Sequence, residues 1–195
     1  MRIGTRRSGL SFSRKRRKID KGTIKNVILW IAEVFAVALI AFVLVYCFGM
    51  RTTVSGNSMS GTLENEDTVL INRIAYLLSD PEAGDVVVFY PNGNEKSHYY
   101  VKRVVAVPGD TVQITDGVLY VNGEAYDQED TEVIEYAGVA EDEVTLGDDE
   151  YFVLGDNRNS SEDSRYANIG NVSAEDIQGK VWFCIRPFSS LGRVQ

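Results

Sequence analysis

Tyr99-Tyr100-Val101-Lys102-Arg103-Val104-Val105-Ala106-Val107-Pro108-Gly109-Asp110 lies near the middle of the chain. A run rich in β-branched and aromatic residues stops at a Pro-Gly-Asp turn, which predicts a strand. Side chains alternate across a strand, so Lys102 shares a face with Tyr100 and Val104, and Arg103 shares the other with Val101 and Val105. One of these two cations therefore lies on the more buried face. Desolvation disfavours an ammonium, and a lysine held there has the lowered pKa that a general base needs. The alternative is a lysine guarding a sheet edge against aggregation, and the pattern alone leaves both readings open.

Outward from this run the same texture continues. Strands are expected at Thr68–Asn72, Asp85–Tyr90, Tyr99–Val107, Thr111–Thr115, Val118–Asn122, Thr131–Tyr136, Tyr151–Leu154 and Gly179–Ile185. Asp116-Gly117 between two of them is a two-residue hairpin signal, because both residues tolerate positive φ. Arg73–Leu78 reads as a short helix closed by Ser79-Asp80-Pro81. No strand–helix alternation occurs, which argues against a doubly wound parallel sheet. The expectation is one compact, mainly-β domain over residues 51–195. Residues 123–150 carry twelve Asp/Glu without the D-x-[DN]-x-[DN]-G spacing of a calcium loop, and read as a solvated acidic insertion.

Two further polar segments flank the central run. Val54-Ser55-Gly56-Asn57-Ser58-Met59-Ser60-Gly61-Thr62-Leu63 offers Ser58 in a glycine-containing loop. A serine hydroxyl is a weak nucleophile until a neighbour takes its proton. Gly56 lets the backbone approach a bound chain closely. By itself such a serine reads as a turn residue. Gly155-Asp156-Asn157-Arg158-Asn159-Ser160-Ser161-Glu162-Asp163-Ser164-Arg165-Tyr166 follows an apolar strand and is either a solvated loop or a fixed hydrogen-bond network. Asp156 or Asp163 is available there to Arg158 or Arg165. The chain holds a single histidine, His98, so a serine hydrolase built on it has a desolvated lysine as its main alternative base.

Before all of this lies Val27 to Met50, a 24-residue apolar run broken only by Glu33. About 20 residues cross a hydrocarbon core, so residues 27–50 are expected to be a transmembrane signal anchor. A cleaved signal has a shorter apolar core and a small-x-small site at its end, whereas Ala36-Val37-Ala38 lies in mid-run. Residues 1–26 carry ten Lys/Arg and one Asp, while residues 51–195 carry ten Lys/Arg against 26 Asp/Glu. That asymmetry predicts a basic cytoplasmic tail touching anionic phospholipid and an acidic extracytoplasmic body. An acidic body argues against nucleic acid as its partner. Cys47 in the anchor and Cys184 in a strand give no disulfide framework and no metal spacing.

Taken together, these segments resemble the boxes of the type I signal peptidases, membrane-bound serine proteases that remove signal peptides from exported proteins. Ser55–Leu63 is similar to the nucleophile box, Gly84-Asp85-Val86-Val87-Val88-Phe89 to the next strand box, Tyr100–Asp110 to the lysine box and Gly155–Arg165 to the last box. The resemblance implies the mainly-β fold shared with self-cleaving repressors of the Ser-Lys class, behind a single N-terminal transmembrane helix. It implies Ser58 as nucleophile, with its backbone N–H as one oxyanion donor, and Lys102 as general base. It implies Ser161 orienting the lysine amine, Asp163 and Arg165 supporting the site, and no metal or cofactor. The partners it implies are signal peptides and the membrane. A signal peptide would lie extended between Thr53–Gly56 and Tyr99–Val101, with Gly56, Met59, Leu63, Tyr100 and Val101 as candidate substrate-binding residues.

Two positions depart from that pattern. Gly61 stands where many members have proline, and Gly56 stands where some carry a second, side-chain oxyanion donor. Three rival readings accompany the resemblance: a peptidase dedicated to few substrates such as pilins, an inactive anchored binding protein, and a Ser-His enzyme using His98.

Overall fold

The structure is a computed structural model that describes residues 21–77, 79–94, 96–126 and 132–194. The basic residues before Lys21, Leu78 at the end of the expected short helix, Glu95 beside His98, and residues 127–131 of the acidic segment lie outside the described residues.

The chain opens with helix α1, Lys21–Phe48, a stretch free of proline and of interior glycine beyond its first turn. It is long and apolar enough to cross a membrane. Its apolar side chains as far as Tyr46 are exposed, among them Trp30, Phe35 and Phe42. The helix as far as Phe42 forms one unit and the chain from Val43 a second. Within the second unit the last helical turn is tied down by the Arg73 N–H donating to the Cys47 carbonyl, at 3.2 Å. Phe48 also meets Trp182 edge-on.

The second unit is built of antiparallel strands. In chain order they are β1 Met50–Thr53, β2 Thr68–Asn72, β3 Val86–Phe89, β4 Tyr100–Ala106, β5 Thr111–Thr115 and β6 Val118–Val121. There follow β7 Glu124–Ala125, β8 Val144–Thr145, β9 Glu150–Leu154, β10 Val172–Ser173, β11 Ile177–Arg186 and β12 Gly192–Arg193. The larger sheet has the order β1-β2-β11-β3-β4-β9-β10, with β12 paired to β11, and the smaller has β7-β6-β5-β8. β5 and β6 are joined by Asp116 and Gly117 at φ 52° and 76°, the paired positive values that a two-residue hairpin turn requires.

Three apolar clusters hold these layers. One collects Val54, Met59, Leu63, Val69, Ile71, Val86, Val88 and Val101. A second lies between the smaller sheet and the buried faces of β4 and β9, and a third covers Val87, Val104 and Val153. β4 belongs to all three because its alternate residues face different cores, which explains why the Tyr99–Val107 run is apolar on both faces.

β4 is central, pairing β3 on one side and β9 on the other. Lys102, 4% exposed, is no edge guard. Two other expectations are corrected. Thr131–Tyr136 forms no strand over its described residues 132–136. The acidic 123–150 segment is not merely solvated, because Ile134, Ala140 and Leu146 are buried against Val105, Phe152 and Leu154. Its described acids other than the half-buried Glu150 are exposed, so charge composition concealed an apolar rhythm of widely spaced residues.

Candidate active site

Ser58 sits on the loop between β1 and β2. Val54 and Asp67 bridge the loop's neck through the Val54 N–H to the Asp67 carbonyl, at 2.8 Å. A tight turn follows the serine, with the Thr62 and Leu63 N–H groups both donating to the Met59 carbonyl. Gly56 is fixed by its N–H donating to Asn65 Oδ1 at 2.8 Å. The Ser58 carbonyl accepts from the Asn157 N–H at 3.1 Å, joining the serine loop to the polar 155–166 segment.

Lys102 reaches that serine from β4. Its Nζ lies 2.7 Å from Ser58 Oγ and its side chain is 4% exposed. Burial pushes the ammonium down to a pKa of about 8. Asp163, Glu162 and Asp156 partly offset that by favouring the charge, while Arg165 opposes it. As an ammonium, Lys102 donates to Ser58; once neutral, its lone pair can accept the serine O–H along the same line. This is the arrangement that activates a serine without histidine.

The 155–166 segment is a network rather than a solvated loop. Asp163 and Arg165, 0% and 1% exposed, form a two-pronged ion pair with 2.8 and 2.9 Å contacts. Asp163 also accepts the Gly155 N–H at 3.1 Å, and Arg165 donates to the carbonyls of Arg158 and Tyr136. Ser164 binds Val153 of β9 through both its hydroxyl and its backbone N–H. Gly155 is required by close approach: a Cβ there would stand 2.2 Å from Ser161 Oγ and 2.4 Å from the Ser58 carbonyl. Asp156 pairs across to Arg103 at 2.7 Å instead of with Arg158 or Arg165. Arg103 additionally holds the Gly84 carbonyl and Thr62 Oγ1, so one guanidinium ties three loops together.

Ser58 and Lys102 open onto a groove of about 560 Å³ lined by Thr52–Ser58, Ser97–Lys102, Ser160 and Glu162. Among the described residues β1 pairs only with β2, and β9 pairs with β4 only from Arg103 onward. The groove is thus flanked by two backbone edges with ladder positions to spare.

The family described as signal peptidase, peptidase S26, matches residues 27–186. The chain belongs to that family. A signal peptidase I P of Bacillus subtilis subsp. natto is 36% identical over 82% of this chain and 89% of its own length. A signal peptidase IB of Staphylococcus aureus is 33% identical over 85% and 92%. A probable signal peptidase I-2 of Synechocystis is 35% identical over 76% and 71%. A solved signal peptidase I from Enterococcus faecalis shares 28% identity, with a TM-score of 0.42, over 53% of this chain and 97% of that one.

Of the residues expected to serve a signal peptidase site, the structure brings Ser58 and Lys102 into contact and sets Asp163 and Arg165 in one buried pair. Gly56, Tyr100 and Val101 line the groove. Met59 and Leu63 do not; at 0% and 1% exposure they belong to the core cluster that also contains Val54 and Val101. The turn after Ser58 directs them inward, so their part is to support the groove wall. Ser161 is buried, and its hydroxyl has no hydrogen-bond partner among the described residues, Lys102 included. Sequence reasoning missed Glu162, whose carboxylate accepts from Tyr100 Oη at 3.2 Å and from Asn168 Nδ2 at 2.7 Å while lining the groove. Its only signal was adjacency to Ser161. His98 lies exposed on the groove wall.

Proposed function

We propose that this protein is a membrane-anchored endopeptidase that removes N-terminal signal peptides from exported preproteins, cutting after a small-x-small sequence. The observation that carries the reading is the 2.7 Å contact between Ser58 Oγ and the buried amine of Lys102.

A signal peptide enters extended and adds as a strand between the segments at Thr53–Gly56 and Tyr99–Val101, so alternate side chains face the groove wall. Neutral Lys102 takes the Ser58 proton as Oγ attacks the scissile carbonyl. The tetrahedral oxyanion accepts from the Ser58 backbone N–H, which makes no hydrogen bond among the described residues. Collapse expels the mature chain's amine, which leaves with the proton from Lys102, and an ester remains on Ser58. Lys102, neutral again, activates a water that hydrolyses this ester and frees the signal peptide. Asp163 and Arg165 keep the loop beside the amine in place, and Ser161 supplies a hydroxyl within the same buried corner. α1 holds the enzyme in the membrane, with the catalytic unit on the extracytoplasmic face where signal peptides emerge. That orientation follows from the basic tail.

The test is cleavage of a detergent-solubilised preprotein by wild type, Ser58→Ala, Lys102→Ala and His98→Ala. The first two are expected to lose at least ~10³-fold in rate, and His98→Ala to keep wild-type activity. Wild-type activity should fall as pH drops below about 8, because the ammonium cannot accept a proton. A rate that stays flat into mild acid removes Lys102 from the role of base.

A further inference from the structure

The acidic segment contributes a strap, residues 133–139, that lies along the 155–166 loop. Asn159 grips it as a strand would: Nδ2 donates to the Val133 carbonyl at 3.0 Å, and Oδ1 accepts the Glu135 N–H at 3.0 Å. Arg165 donates to the Tyr136 carbonyl at 3.1 Å, and its own carbonyl accepts the Val139 N–H at 2.9 Å. The rings of Tyr136 and Tyr166 pack with centroids 4.9 Å apart. At Gly138 the fit is closest, since a Cβ there would stand 2.1 Å from the Arg165 carbonyl. The strap is itself anchored: Ile134 is buried in the second cluster and donates its N–H to the Gly117 carbonyl at 2.9 Å.

We propose that residues 133–139 are a brace that positions the loop carrying Ser161, Asp163 and Arg165 against Lys102, with Asn159 as its principal positioning residue. The inference rests on the Ser58/Lys102 reading. The loop has few apolar side chains of its own, so on its outer side its place depends on these polar contacts, whereas Ser164 binds it to β9 on the inner side. Asn159 is two residues from Ser161 and adjacent to Ser160, which lines the groove. A shift of about 1 Å in such a supporting element is enough to cost on the order of tenfold or more in rate. The charged groups bearing on Lys102 are Asp163, Glu162, Arg165 and Asp156, all on this loop. Tyr100 on its own strand presents its ring 5.4 Å from Nζ, and His98 stands on the groove wall. Releasing the brace lets water reach the amine, which weakens the desolvation that holds its pKa down.

The experiment measures pH-rate profiles of the full-length protein in detergent with a synthetic signal-peptide substrate. It compares wild type, Asn159→Ala, Tyr136→Ala and the double variant, with Lys102→Ala as the dead reference. Gln113→Ala serves as control, since it removes only a bond to the Glu141 carbonyl outside the brace. Folding is checked by thermal melting; should Asn159→Ala fail to fold, Tyr136→Ala carries the same readout. The expected result is a kcat lowered on the order of tenfold with KM nearly unchanged and the acid limb moved to higher pH. The double variant should lose less than the product of the singles, and Gln113→Ala should match wild type. An acid limb that stays put in a folded variant, or a loss confined to KM, overturns the brace. If Lys102→Ala remains active, the dyad fails and the brace with it. If Lys102→Ala is dead while Asn159→Ala equals wild type, the brace alone fails.

Discussion

Lys102 is the residue on which chemistry and stability meet. Its amine is useful because it is buried, and burial costs the folded state. The folded pKa of about 8 lies below the ordinary 10.5, so between those values the unfolded chain binds more protons than the native one. Stability therefore rises with pH through that window, and below about 8 the full cost of the buried ammonium is present. Lys102→Met, of similar length and without charge, is accordingly expected to stabilise the inactive protein at pH 7 by on the order of 1–3 kcal/mol. The same substitution should give little or no gain near pH 11, where the amine is neutral in both states. Thermal melts of both proteins at the two pH values decide it, and equal melting temperatures at pH 7 would mean that the amine is better solvated than its burial implies. The legibility of this residue was partial. Strand alternation left Lys102 and Arg103 as equal candidates for the buried face, and only the loops packed over β4 separate them: Lys102 is buried against Ser58, while Arg103 pairs with Asp156.

At the scale of elements, local pattern sufficed wherever a strand was long and apolar. β2 and β5 fall on their expected residues, and β3, β4, β6, β9 and β11 differ from expectation by one or two residues at an end. The two-residue strands β7, β8, β10 and β12 carry no periodicity because so short a ladder needs only a neighbour, not a pattern. The loops were legible in chemistry but not in partnership: Asp156 chose Arg103, fifty-three residues away, over the arginines beside it. Gly61 shows what a loop's conformation decides. It has φ 105° and donates its N–H to Glu64 Oε1 at 3.3 Å. Proline fixes φ near −65° and has no N–H, so the proline that the family resemblance led one to expect here does not fit this loop. Gly61→Pro is expected to destabilise the protein by about 1–3 kcal/mol and to lower kcat, where simple pre-organisation would raise both. Denaturant titration beside a cleavage assay distinguishes the two outcomes.

At the scale of the whole molecule, two solvents are written into one chain. The 28 residues of α1 span about 42 Å at 1.5 Å each, beyond the ~30 Å of a hydrocarbon core, and they carry exposed Trp30, Phe35 and Phe42 that water would not tolerate as a continuous surface. The residues after the helix carry 26 Asp/Glu against ten Lys/Arg, while those before Val27 are basic. Lys and Arg near a span are retained on the cytoplasmic side, whereas acidic residues hinder translocation little, so this distribution predicts one orientation. A membrane-impermeant maleimide reads it directly. Cys47 and Cys184 are buried free thiols, so background labelling in the native protein should be low. A cysteine introduced by Glu124→Cys, at an exposed site on β7, is expected to label in intact cells, and one introduced by Ser8→Cys only after lysis. The reverse pattern would put the Ser58–Lys102 groove in the cytoplasm. There it would meet preproteins before their translocation, and cleavage would strand them on the wrong side of the membrane. The orientation is therefore as much a condition of the proposed function as the dyad itself.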